Sequence, residues 1–254
     1  MRTEILYEDK SIMVVRKPAG LAVQSAGIGQ PDVVSELKSY LAKLPGAGRP
    51  GKGEPYLGIV HRLDQPVEGL LVFAKDKKAA AALSKQLTEG ALNKHYYAVL
   101  CGYPDCSEGD LVDYLRKEGN VAVAVTGREQ EFADAKIAAL HYRILEEIND
   151  PSPLALADVT IGTGRFHQIR VQFAHAGFPL FGDTKYGMAA LKEAMPAQKY
   201  RGVALCAYSL ELVHPISGKK MEFRVVPKNP AFAGFAMEEL KKLTENETGI
   251  SKRG

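Results

Sequence analysis

The chain has 254 residues, 46% of them hydrophobic and 25% charged, with a net charge of +3. That is enough apolar sequence for a sizeable core and too balanced a composition for a disordered or fibrous chain. The start, MRTEILYEDKS, lacks the apolar stretch of an export signal and no run of eighteen apolar residues follows, so export and membrane spanning are not expected and the cytoplasm is the expected location. The mild basicity does not by itself imply a polyanionic partner. Cys101, Cys106 and Cys206 are odd in number and not spaced like zinc ligands, so they are expected as small core hydrophobes, with no disulfide and no metal site.

In chain order, EILYEDKSIMVVR (residues 4 to 16) predicts two strands around the polar turn Glu8-Asp9-Lys10. From Asp32, a plausible N-cap, Val33, Leu37, Tyr40, Leu41 and Leu44 recur at helical spacing. PGAGRPGKGEP (45 to 55) has four glycines and three prolines in eleven residues and predicts a mobile surface loop whose two cations could meet an anion. LGIV (57 to 60) and GLLVFA (69 to 74) are strand-length apolar runs flanking a polar loop, and Asp76 caps an alanine-rich helix ending at Gly90. KHYYAVLCG, VAVAV, the segment from Ala135 to Ile148, and LALADVTI are expected as strands. RFHQIRVQFAHAG follows the GTG turn with helical spacing at Phe166, Ile169 and Phe173, and Gly177 as its stop. A helical stretch broken by Pro196, a hairpin of VALCAYSLELVHP and KKMEFRVVP about Ile216-Ser217-Gly218, and a final helix PAFAGFAMEELKKL complete the chain, before a polar tail. Strands outnumber helices without regular strand-helix alternation, which predicts an α+β domain on a mostly antiparallel sheet.

Two segments concentrate chemistry. His61, Arg62 and Asp64 occupy the loop between apolar strands, where a carboxylate loses hydration and needs a cation or donors to remain ionised; a local surface ion pair is the plainer account. In TGRFHQIR (163 to 170), Arg165, His167, Gln168 and Arg170 follow a glycine turn, with no acidic residue between Asp158 and Asp183. Two guanidiniums at a helix start suit phosphate or carboxylate, although a solvated helix face would look similar. Tyr96 and Tyr97 face opposite sides of a strand, so that one can be core while the other meets a cleft.

Taken in order, KPAGLAVQ (17 to 24), HRLD with GLLVFAK (61 to 75), KHYYAVLCG (94 to 102), TGRFHQIRVQFAHAGFPLFGDTKYG (163 to 187) and LELVHPISGKKMEF (210 to 223) resemble the successive motifs of the pseudouridine synthases. The resemblance is to the branch named for large-subunit RNA, which modifies uridines in ribosomal or transfer RNA. It implies the pseudouridine synthase fold, a mostly antiparallel mixed sheet with flanking helices and a central catalytic cleft. It also implies a catalytic carboxylate at Asp64, an active-site basic residue at Arg165 pairing with it, and an active-site tyrosine at Tyr96. The implied reaction breaks the C1′–N1 bond of a uridine and joins C5 to C1′, with neither cofactor nor metal. Because a stacked base is out of reach, the uridine must be extruded; Arg62 is expected to fill space or hydrogen-bond where it left, His61 to hold the loop or contact the RNA backbone, and His167, Gln168 and Arg170 to bind RNA.

Two positions depart from the family pattern: Val67-Glu68-Gly69 stands where members commonly read Thr-Ser-Gly, and Phe166 where they commonly read Thr. Glu68 places a negative charge near Asp64, to be met by a nearby cation or to alter substrate choice. The sequence implies one catalytic domain over residues 1 to 245 with a polar tail at 246 to 254, acting as a monomer on RNA (rRNA or tRNA), without DNA or membrane partners and without a separate N-terminal RNA-binding domain. The alternative is a catalytically silent RNA-binding protein that keeps the cleft; a metal-dependent hydrolase has no ligand cluster to support it.

Overall fold

The computed structural model describes residues 1–25, 27, 29–44, 54–126, 134–149, 152–187 and 202–236. Two compact units make up the chain, Met1–Lys94 with Ala207–Val225 and His95–Cys206 with Val226–Gly254.

The first unit is built on the hairpin of β1 (Glu4–Glu8) and β2 (Ile12–Lys17). Asp9 forms its turn by accepting from the backbone N–H groups of Ser11 and Ile12 at 2.7 and 2.8 Å, the local bonding that makes Asp a turn residue. β3 (Gly58–Ile59) and β4 (Glu68–Ala74) follow, then β10 (Leu205–Val213) and β11 (Lys220–Arg224), in the order β1-β2-β4-β10 with β3 on β4 and β11 on β10. Every position of β2 and β4 is buried, which explains their uninterrupted apolar runs: strands covered on both faces do not alternate. Gly69 has a φ of +129°, and a Cβ there would lie 2.5 Å from the backbone N and O of Ala207, so glycine is what lets β4 lie against β10. Helices α1 (Val33–Ala42) and α2 (Lys77–Thr88) are each N-capped by an aspartate, Asp32 accepting from Ser35 N–H at 2.7 Å and Asp76 from Ala79 N–H at 2.8 Å. α2 packs on β4.

The second unit is an antiparallel sheet of β5 (Asn93–Cys101), β6 (Glu108–Glu118), β7 (Val121–Val125), β8 (Lys136–Ile148) and β9 (Leu154–Ile161), ordered β5-β9-β8-β6-β7. Helix α3 (Gln168–His175) packs against β6 and β7. Its Val171 joins Leu115, Ala122 and Ala138 in one buried cluster. The α+β class holds.

The structure departs from sequence expectation in four places. β6 was not foreseen, because its polar and charged residues sit on a half-exposed strand and blur the period-2 signal. α3 begins at Gln168, which puts Phe166 outside the helix and leaves it exposed. Cys106 is exposed, although Cys101 and Cys206 are buried. The C-terminal helix expected from Pro230 does not start there: residues Pro230–Phe232 form a 3-10 turn capped by Asn229, and the expected helix from 237 onward lies outside the described residues. The glycine-rich loop at 45–53, the Pro196 stretch at 188–201 and the segment from 237, with the polar tail, lie outside the described residues.

Candidate active site

In the first unit the catalytic candidate Asp64 lies half-buried in the loop that leads from β3 into β4. The loop is anchored by its apolar members, Leu63 and Val67 being buried, and is tightened by a turn in which Val67 N–H donates to the Asp64 carbonyl at 3.1 Å. The KPAGL segment at the end of β2 holds it from the other side. Gly20 N–H donates to the Gln65 carbonyl at 2.8 Å, and the ammonium of Lys17 donates to the carbonyls of Leu21 at 2.6 Å, Pro18 at 3.0 Å and Gln65 at 3.0 Å. Lys17 is fully buried. Burial pushes it down to about 7, while the negative charges of Asp64 and then Glu68 push it back up. Three carbonyl acceptors call for three N–H donors, which only the ammonium supplies.

Glu68, the departure in this loop, is buried and has Arg16 Nη2 at 3.9 Å from its Oε2. Its charge is therefore met by a cation on the neighbouring strand. His61 is only 8% exposed and lies inward, Nε2 accepting from Val72 N–H at 3.3 Å. Burial, with the Lys94 charge adding to it, pushes His61 down to about 3, so it is a neutral strut at neutral pH. Arg62 points to solvent and donates to Gln24 Oε1 at 2.9 Å.

In the second unit Tyr96 sits on β5 opposite Val159 of β9 and is 5% exposed. Arg165 stands in the turn between β9 and α3, half-buried, its Nε donating to the Ile137 carbonyl at 2.9 Å. Gln168 builds that turn: its Oε1 accepts from Arg165 N–H at 2.9 Å and from the Thr163 hydroxyl at 2.8 Å, and its Nε2 donates to the Ala139 carbonyl at 3.0 Å. His167 takes φ +54°, the one described non-glycine residue in the left-handed region. Its Nδ1 is 2.6 Å from the Tyr186 hydroxyl, which itself accepts from Ala122 N–H at 2.9 Å and so has its proton available for the imidazole. Arg170 is buried and forked onto Asp183, with contacts of 2.7 and 2.9 Å. Gln168 and Arg170, expected at an RNA surface, thus have their side chains engaged inside the unit, where they hold the segment carrying Arg165.

Lys17 and Asp183 were not singled out in the sequence. A signal existed for each: a lysine closing the apolar strand IMVVR, and the first acidic residue after a long stretch of arginines and histidines.

The family model for RNA pseudouridylate synthase matches residues 11–175, a span that includes Asp64, Tyr96 and Arg165. The chain is 36% identical over 230 residues to the ribosomal large subunit pseudouridine synthase D of Zymomonas mobilis, covering 87% of this chain and 68% of that protein. It is 37% identical over 226 residues to an uncharacterized RNA pseudouridine synthase of Synechocystis, covering 85% and 63%. It spans about two thirds of the length of these relatives. Among solved structures, human RNA Pseudouridylate Synthase Domain Containing 4 superposes with a TM-score of 0.68 at 25% identity, over 89% of each chain. Human RNA Pseudouridylate Synthase Domain Containing 1 shares the fold, with a TM-score of 0.70 at 20% identity over 96% of this chain and 94% of that one. The chain belongs to the RNA pseudouridylate synthase family of isomerases.

Proposed function

We propose that the protein isomerises specific uridines of ribosomal RNA to pseudouridine, with Asp64 as the catalytic carboxylate, Arg165 as its basic counterpart and Tyr96 against the uracil ring. The name of the relative in Zymomonas mobilis favours the large ribosomal subunit over transfer RNA. The C1′–N1 bond breaks, the detached uracil turns, and C5 bonds to C1′; N1 gains a proton and C5 loses one, so no electrons are exchanged and no cofactor or metal is called for. Asp64 provides the carboxylate for attack on the sugar or the base, or for a proton abstraction that opens a glycal route. Tyr96 is suited to pack on the ring and to take part in the C5 proton transfer. Extruding the uridine costs a few kcal/mol, less from a loop or bulge, and Arg62, exposed beside Gln24, is the group proposed to occupy the space. The protein acts as a cytoplasmic monomer.

The observation that carries this function is that the carboxylate of Asp64 stands on a loop clamped by a buried ammonium, within the span of the family match. The test is a pseudouridine map of total RNA from cells with the protein, without it, and with Asp64→Asn. A site lost in both altered strains is expected in large-subunit RNA; a site lost only in transfer RNA would move the substrate, and an Asp64→Asn strain retaining every site would refute the assignment of Asp64.

A further inference from the structure

Phe166 follows Arg165 directly and is 40% exposed. Unlike Val112, Ile137 and Ile216, the exposed aliphatic side chains, it is held in a built stack. Its ring lies on the His167 imidazole with centroids 3.7 Å apart and planes 22° from parallel. His167 is in turn fixed from behind, edge-on to the Tyr186 ring at 5.6 Å and hydrogen-bonded to its hydroxyl at 2.6 Å. Tyr186 is tied to β7 through Ala122 N–H, and its own backbone N–H donates to Asp183. The left-handed backbone of His167 is a conformation that non-glycine residues keep only where surrounding contacts impose it, and such positions cluster at ligand sites. The ammonium of Lys117 stands 4.8 Å from the centroid of the Phe166 ring. It is carried on an exposed side chain, free to swing to a phosphate when another group takes its place on the ring.

A preorganised aromatic ring with a mobile cation beside it is the equipment for holding an unpaired nucleobase and its phosphate. We infer that Phe166, backed by His167 and flanked by Lys117, is a stacking platform for an unpaired base of the RNA near the target uridine, and so helps determine which uridines are chosen. This rests on the proposed RNA isomerisation and adds a second base-binding position to it. Phe166 does not touch the reacting atoms, so its contribution belongs to RNA binding rather than to the bond-breaking step.

The test uses the full chain and total RNA labelled with [5-³H]uridine from cells lacking the protein, with tritium release from C5 followed against RNA concentration. Phe166→Leu keeps an apolar side chain and removes the π face; it is expected to raise KM roughly 5- to 150-fold, the range of losing one stacked base, with kcat within about threefold. Phe166→Trp, which restores a face, is expected to keep KM near the parent value. An unchanged KM in Phe166→Leu, or a Trp variant as impaired as the Leu variant, overturns the inference. If the parent protein itself releases no tritium, the proposed isomerisation has failed, and this is seen before any variant is compared.

Discussion

Lys17, fully buried, brings three N–H donors to three carbonyls, two in the segment that follows β2 (Pro18 and Leu21) and the third in the loop of Asp64 (Gln65). Replacing it with Met leaves those acceptors unmet, and each buried unsatisfied group costs about 1–3 kcal/mol. Lys17→Met is therefore expected to lower stability by roughly 3 kcal/mol or more, with the loss read from the urea midpoint. A change below about 1 kcal/mol would show that water or a shifted loop replaces the ammonium. The sequence displayed this lysine inside a quoted motif but not its task, because a charge at the end of an apolar strand is equally well a solvated strand end. The loop position of Asp64, by contrast, was legible, because strand-length apolar runs flank it on both sides; its catalytic role is the proposal. His61 was legible as a loop holder but not as a buried neutral acceptor, since burial depends on what packs over β4 and no local pattern records it.

At the scale of an element, α3 shows why motif chemistry and packing are hard to separate in a sequence. The arginines and histidines of TGRFHQIR, which leads into it, suggest an anion-binding face, yet Arg170 faces inward to Asp183, with both side chains almost completely buried. Asp183 also accepts from the backbone N–H groups of Lys185 and Tyr186 at 3.0 and 3.2 Å, and Tyr186 supports His167. Asp183→Asn removes the charge that compensates a buried guanidinium, and breaking a buried pair on one side costs about 3–5 kcal/mol. The same change loosens the support of the Phe166 stack. Urea denaturation of Asp183→Asn is expected to show that loss, and replacing Arg170 as well, with Met, is expected to recover part of it because no unpaired charge then remains; a double variant as unstable as the sum of the single ones would argue that the two residues act separately. Local signals placed some strands and the aspartate caps of α1 and α2, but not the start of α3. β2, β4, β5 and β9 are apolar runs bounded by turn residues, a local signal, whereas the start of α3 is decided by Gln168 bonding three groups in the preceding turn and strand.

Across the whole molecule the buried titratable groups determine how stability responds to pH. His61 is pushed down to about 3 when folded, against an ordinary 6.5, so the unfolded chain takes up a proton that the folded one refuses, and stability falls as pH drops below about 6.5. Between pH 7 and pH 5 this single group accounts for about 2 kcal/mol. Asp9, Asp32 and Glu36 are all held below their ordinary values by hydrogen bonds to their carboxylates, despite the opposing effect of burial. Their stabilisation is present above the unfolded carboxylate range and is lost at lower pH, so it does not contribute to the slope between 7 and 5. Lys17 acts on the opposite side: folded at about 7 against an ordinary 10.5, it makes stability rise with pH between those values and leaves the acid limb alone. Urea midpoints are therefore expected to fall from pH 7 to pH 5 in the parent protein, and to fall by about 2 kcal/mol less in His61→Gln, whatever that substitution costs at pH 7. An equal fall in both proteins would show that the acid sensitivity does not come from the buried imidazole behind the Asp64 loop.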